Sequence, residues 1–205
     1  MMKLLLALAL TTVTAFVPSA APRASTTVRP AVTDMEGISA PIGFFDPLGL
    51  AKTGGPETLA WFREAEIKHG RVCMAAFVGL VVNKVGISFP FPISLDGTTF
   101  ASLSNHGTDA WAQLSLSGKL QILFTVGMFE FYSETIKPHY MSGGKVGYAG
   151  KIWDPIGFTR GVPEDVLATK RLAELNNGRL AMIGAISFFA ASSIDGSVPA
   201  LPNGW

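Results

Sequence analysis

Three stretches of the chain are mainly apolar over helical lengths, and polar residues interrupt each at fixed places. They predict helices over about 57–85, 119–136 and 164–193. None is a clean run of the roughly twenty apolar residues that span a bilayer. The first and third begin polar and become fully apolar only past Arg71 and Arg179. Their length, about thirty residues each, allows strong tilt or projection beyond a membrane. Pro138 closes the second helix, and Pro163 suits the first turn of the third.

The polar interruptions repeat. Asp46-Pro47-Leu48-Gly49 returns as Asp154-Pro155-Ile156-Gly157, and Glu66-Ile67-Lys68-His69-Gly70-Arg71 as Glu174-Leu175-Asn176-Asn177-Gly178-Arg179. Met74 matches Met182, and every pair is separated by the same 108 positions. A spacing held across both turn and helix indicates two copies of one unit: an Asp-Pro turn feeding a long helix. The predicted fold is all-α: three transmembrane helices, the first and third parallel, crossing and related by a pseudo-twofold axis.

Composition supports a membrane setting. Hydrophobic residues make up 48% of the 205 and charged residues 15%, and mean hydropathy is +0.36, too apolar for an ordinary soluble domain. A net charge of +1 gives no reason to expect nucleic acid, and the lone Cys73 excludes an internal disulfide. Segment 86–118 and the tail from Ile194 contain no Lys or Arg, whereas Lys137, Lys145, Lys151 and Arg160 join the second and third helices. The positive-inside rule therefore puts this connection and the mature N-terminus on one side, the stroma in a plastid. An odd number of spans then makes helices one and three parallel, in agreement with the repeat.

Residues 1–15 read as a signal peptide, with Lys3 before the run Leu4–Leu10 and small residues at Val13, Thr14 and Ala15. Residues 16–35 are rich in Ser, Thr, Pro and Ala, with Arg23 and Arg29, as in a plastid transit peptide. The order resembles the bipartite presequences of algae with complex, red-lineage plastids; simple secretion is the alternative. One domain, 36–205, remains.

Charges within membrane helices are costly and need partners. Glu66 and Arg71 stand about 140° apart on one helix and cannot face each other. Across two parallel crossing helices, Glu66 can pair with Arg179 and Glu174 with Arg71, each arginine covering roughly 7.5 Å of axial offset. Gly70 and Gly178 would let the backbones approach. Beside each glutamate stands a second polar group, His69 or Asn177, able to offer one lone pair to a metal. A planar-ring magnesium such as that of chlorophyll accepts one such axial ligand, and a carboxylate neutralised by arginine can serve as well. Glu130 and Gln121 stand out in the same way on the second helix. The plainer alternatives are a helix-to-helix hydrogen bond for His69 and Asn177, a bare ion pair for Glu66, and contact with water for Glu130.

The two Glu-x-x-(His/Asn)-Gly-Arg helices with their Asp-Pro-(Leu/Ile)-Gly turns resemble the chlorophyll-binding light-harvesting family. Phe44-Phe45-Asp46-Pro47-Leu48-Gly49-Leu50 and His139-Tyr140-Met141-Ser142-Gly143-Gly144 resemble its chlorophyll a/c, fucoxanthin-carrying branch. The resemblance implies a non-enzymatic antenna of the plastid thylakoid that carries chlorophyll a, chlorophyll c and fucoxanthin-type carotenoids. Its implied partners are membrane lipids, neighbouring antenna subunits and a photosystem I or II core. Magnesium ligands would be Glu66, His69, Glu174, Asn177, Glu130 and, less directly, Gln121, with Arg71 and Arg179 as ion-pair partners. Two carotenoids would cross near the Asp46 and Asp154 turns. Green-plant relatives carry a glutamine ligand late in the third helix that Phe189-Ala190-Ala191-Ser192 lacks. Rival functions are a quenching member of the same family, a pigment-free structural protein, and a di-iron carboxylate enzyme. The enzyme would need a second Glu-x-x-His element, where the repeat has Glu-x-x-Asn.

Overall fold

The computed structural model describes residues 35–104, 107–147, 154–191 and 194. The expected signal peptide, the transit peptide up to residue 34 and Lys151 lie outside the described residues. The helices are α1 (Leu50–Thr53), α2 (Pro56–Val85), α3 (Gly107–Gln113), α4 (Leu116–Thr135) and α5 (Glu164–Ala191). Short 3-10 turns stand at Phe100–Ser102 and Tyr140–Ser142. Among the described residues the remaining pairing is two isolated bridges, Ser39 with Gly43 and Pro92 with Thr99.

The three expected helices form, with ends that coincide or shift by at most three residues; positions 192–193 lie outside the described residues. α2 opens on Pro56, whose missing N–H costs nothing in a first turn, and ends at Gly86, whose positive φ of 84° lets it cap the helix. Ser115 caps α4 by accepting the Gly118 N–H at 3.3 Å. α5 begins with Glu164 and Asp165, which complement the helix dipole.

The repeat persists in three dimensions. The Asp46 carboxylate accepts the N–H groups of Leu50 and Ala51 at 2.9 and 3.0 Å. Asp154, at the same offset, accepts those of Phe158 and Thr159 at 2.7 and 3.1 Å. Gly49 and Gly157 both adopt positive φ, 66° and 80°, to close these turns. The starts of α2 and α5, Pro56 and Glu164, keep the same separation. Replacing Asp46 by alanine should cost about 0.5–2 kcal/mol locally, read as faster amide exchange at Leu50 and Ala51. Bonds from the Thr159 hydroxyl, then the Thr159 and Phe158 N–H groups, hold the Asp154 carboxyl below the usual aspartate range. That support is full above the ordinary aspartate pKa and is lost as pH falls through the lowered one. Amide exchange at Phe158 and Thr159 should therefore accelerate only in strong acid.

α2 and α5 cross at their glycines. A Cβ added to Gly178 would lie 3.0 Å from Gly70 Cα, and one on Gly70 3.1 Å from Gly178 Cα, so backbone meets backbone. C-terminal to both glycines, the Phe77 and Phe188 rings pack with centroids 5.1 Å apart. A Cβ on Gly184 would also touch Phe77. Contacts on the same side of the crossing mean that the two helices run in the same direction.

α4 is different, because it buries no residue. Leu123, Phe124 and Phe131 are 59%, 71% and 74% exposed, so no protein covers its apolar side chains. The buried hydrophobic core among the described residues is confined to Leu175 and Ala185, both on α5. Among the described residues no helix is long and apolar enough to cross a membrane. The charges in the first halves of α2 and α5, and Lys119, Glu130 and Glu134 on α4, account for that.

Candidate functional site

The crossing concentrates the polar groups. Arg179 Nε donates to Glu66 Oε1 at 2.7 Å, and Arg71 Nε to Glu174 Oε1 at 2.6 Å. These are the two reciprocal pairs expected from helical geometry. Each arginine also reaches a loop carbonyl: Arg179 donates to Gly37 O at 2.7 Å and Arg71 to Gly147 O at 3.1 Å. Gly37 precedes α2 and Gly147 precedes α5, so each arginine ties the other repeat's helix to the segment leading into it. The Gly147 N–H in turn donates to Glu64, which is buried. Sequence reasoning missed these anchors, because nothing in a glycine's identity announces which side chain its carbonyl will meet.

The symmetry is incomplete. Arg63 donates to the second oxygen of Glu66 at 2.7 Å, whereas its repeat equivalent, Arg171, turns to Glu36 and Glu164. The Arg171 hydrogen bonds hold the Glu36 carboxyl below its ordinary range.

His69 and Asn177 occupy the positions just before the crossing glycines, and both are exposed. His69 Nδ1 lies 2.7 Å from Ala65 O, which places the ring hydrogen there and leaves the Nε2 lone pair on the outer edge. A metal-binding histidine is oriented in this way. The Asn177 amide has no hydrogen-bond partner among the described residues. No group of three or more His, Cys, Asp or Glu side chains among the described residues could hold a metal ion. The donors therefore stand singly: two carboxylates already compensated by arginine, one imidazole of fixed tautomer, one amide oxygen. Single donors fit a magnesium whose equatorial positions are filled by a ring.

On α4, Glu130 Oε2 accepts from Lys68 Nζ at 2.7 Å. Gln121 is exposed. It lies nine residues before Glu130, about 180° around the helix, and the two are not brought together. An apolar cleft of about 570 Å³ opens beside the Asp46 turn. Its lining includes Ile42, Phe44, Phe45 and Phe62 together with Glu66 and Arg179.

The chain is also similar in sequence to known proteins. The profile of a family described as chlorophyll A-B binding protein matches residues 31–193. The chain is 34% identical over 178 residues to fucoxanthin-chlorophyll a-c binding protein C of Phaeodactylum tricornutum, spanning 85% of this chain and 86% of that relative. It is 33% identical over 196 residues to the fucoxanthin-chlorophyll a-c binding protein of Trieres chinensis, spanning 90% and 91%. Protein E of the same kind from Macrocystis pyrifera is 32% identical over 156 residues, spanning 74% and 69%. All three relatives are named as chloroplastic.

Proposed function

The chain belongs to the chlorophyll A-B binding protein family, and from that premise we propose that it is a light-harvesting antenna subunit of the thylakoid. It binds chlorophyll a, chlorophyll c and fucoxanthin-type carotenoids and is not an enzyme. Bound chlorophyll supplies absorption of visible light and an excited state that moves to a neighbouring pigment. The protein's own residues fix where each ring sits and what dielectric surrounds it.

The observation that carries this reading is the reciprocal pairing of Glu66 with Arg179 and Glu174 with Arg71 beside two single donors. In each pair an arginine compensates the carboxylate, joined at Glu66 by Arg63 on the second oxygen, so neither carboxylate stands as an uncompensated charge in an apolar layer. His69 and Asn177 offer neutral donors one step along the same helices. The exposed apolar side chains of α4, Leu123, Phe124 and Phe131 among them, need cover that the protein does not give. Pigment macrocycles and lipid supply it. On this reading α2, α4 and α5 cross the thylakoid membrane, helped by pigments that cover surface a bare helix would expose. Residues 36–205 form the mature chain with a stromal N-terminus, residues 1–15 and 16–35 being removed. Neighbouring antenna subunits and a photosystem core receive the excitation.

The test is ligand removal. His69→Leu and Asn177→Leu should each lose one chlorophyll per polypeptide, read by pigment extraction against protein content. Retention of every chlorophyll in both variants would remove these ligand assignments.

A further inference from the structure

Within the repeated motif Glu66–Arg71 one position changes its charge between the copies: Lys68 stands where the second copy has Asn176. The departure coincides with α4, which among the described residues is the one long helix without a repeat partner. Lys68 Nζ donates to Glu130 Oε2 at 2.7 Å, to Glu134 Oε1 at 3.1 Å and to Ser133 Oγ at 3.3 Å, all on the last two turns of α4. Glu134 has further support, from His139 Nε2 at 2.9 Å and the Tyr140 hydroxyl at 3.2 Å. Met141 N–H donates to His139 Nδ1, so the ring hydrogen sits on Nε2 and donates to Glu134. Glu130, by contrast, has Lys68 as its one cation partner among the described residues.

We propose that Lys68 is the charge partner of Glu130, doing from the first helix for the second what Arg179 does for Glu66 and Arg71 for Glu174. This rests on the reading of Glu130 as a magnesium ligand. Lys68 is a positioning residue: it compensates the carboxylate while leaving Oε1 for the metal, and it fixes the rotation of a helix that buries none of its own residues. An ammonium suits this place better than a guanidinium fork, because it must serve two carboxylates and a hydroxyl from one point. The second repeat needs no such cation, since no fourth long helix stands opposite Asn176 among the described residues.

The test uses the full chain folded in detergent with chlorophyll a, chlorophyll c and carotenoid extract. Chlorophylls per polypeptide and the red absorption band are read for Lys68→Met, Lys68→Arg, Glu130→Leu and the double variant Lys68→Met/Glu130→Gln. Lys68→Met should lose one chlorophyll, with the same absorption difference as Glu130→Leu, and Lys68→Arg should regain most of it. The double variant should regain it too, because an amide ligand needs no compensating charge. A structural latch alone predicts no rescue by the double variant, so its failure overturns the proposal. Full pigment in Lys68→Met overturns it as well. Full pigment in Glu130→Leu would instead remove Glu130 as a ligand, and with it the reading on which the proposal stands.

Discussion

Gly178→Leu should abolish the pigment-protein complex. The first side-chain carbon alone would sit 3.0 Å from Gly70 Cα, and the obstacle is backbone, which cannot rotate aside. Alanine already asks the crossing to open by a few tenths of an ångström, at a cost of about 1–3 kcal/mol. Leucine adds three more carbons in the same gap, so the helices must separate by far more than a hydrogen bond tolerates. Both reciprocal pairs, at 2.7 and 2.6 Å, then break together. The expected result is a chain that yields no chlorophyll-bearing band on sucrose-gradient or size-exclusion separation. Gly178→Ala should yield a band of lower thermal midpoint. Recovery of the leucine variant with full pigment would mean that the helices do not cross at these glycines.

The second large effect concerns charge. Glu66→Arg gathers a third guanidinium beside Arg63 and Arg179, and Arg179→Glu sets two carboxylates together. Breaking a buried ion pair costs about 3–5 kcal/mol, and the lower end applies here because these side chains are part-exposed. Each single change should therefore sharply reduce pigment-protein yield. The double variant Glu66→Arg/Arg179→Glu restores the pair and should recover more than either single. Recovery should stop short of wild type, since Gly37 O loses its Arg179 donor and Arg63 loses its carboxylate. Equal failure of all three chains would contradict the pairing.

What the sequence made legible follows from which features are local. The offset of 108 carries Asp46 to Asp154, Glu66 to Glu174, Gly70 to Gly178 and Arg71 to Arg179 without change of residue. Helical geometry then forbids Glu66 from meeting Arg71 on its own helix and leaves the cross-helix pairs. The structure has both. The features that escaped depend on how loops travel. Gly37 and Gly147 meet the arginines because the segments ahead of α2 and α5 fold back over the opposite helix, and no periodicity encodes that path. Arg63 and Arg171 share a repeat position yet bond different carboxylates, Glu66 for the first and Glu36 with Glu164 for the second, a choice that the repeat does not encode. Lys68 escaped for a further reason: its partners lie 62 to 66 residues along the chain on the unrepeated helix, where symmetry offers no guide. The short helices α1 and α3 were missed because four and seven residues are too few to show a period.

The central claim is that single donors at the crossing hold chlorophyll magnesium. Its most direct test is the pigment content of the full chain purified in mild detergent from its native membrane. The account predicts chlorophyll a, chlorophyll c and carotenoid bound together, with at least one chlorophyll for each of Glu66, His69, Glu174 and Asn177. A folded, helical protein that comes off the membrane without chlorophyll would contradict it.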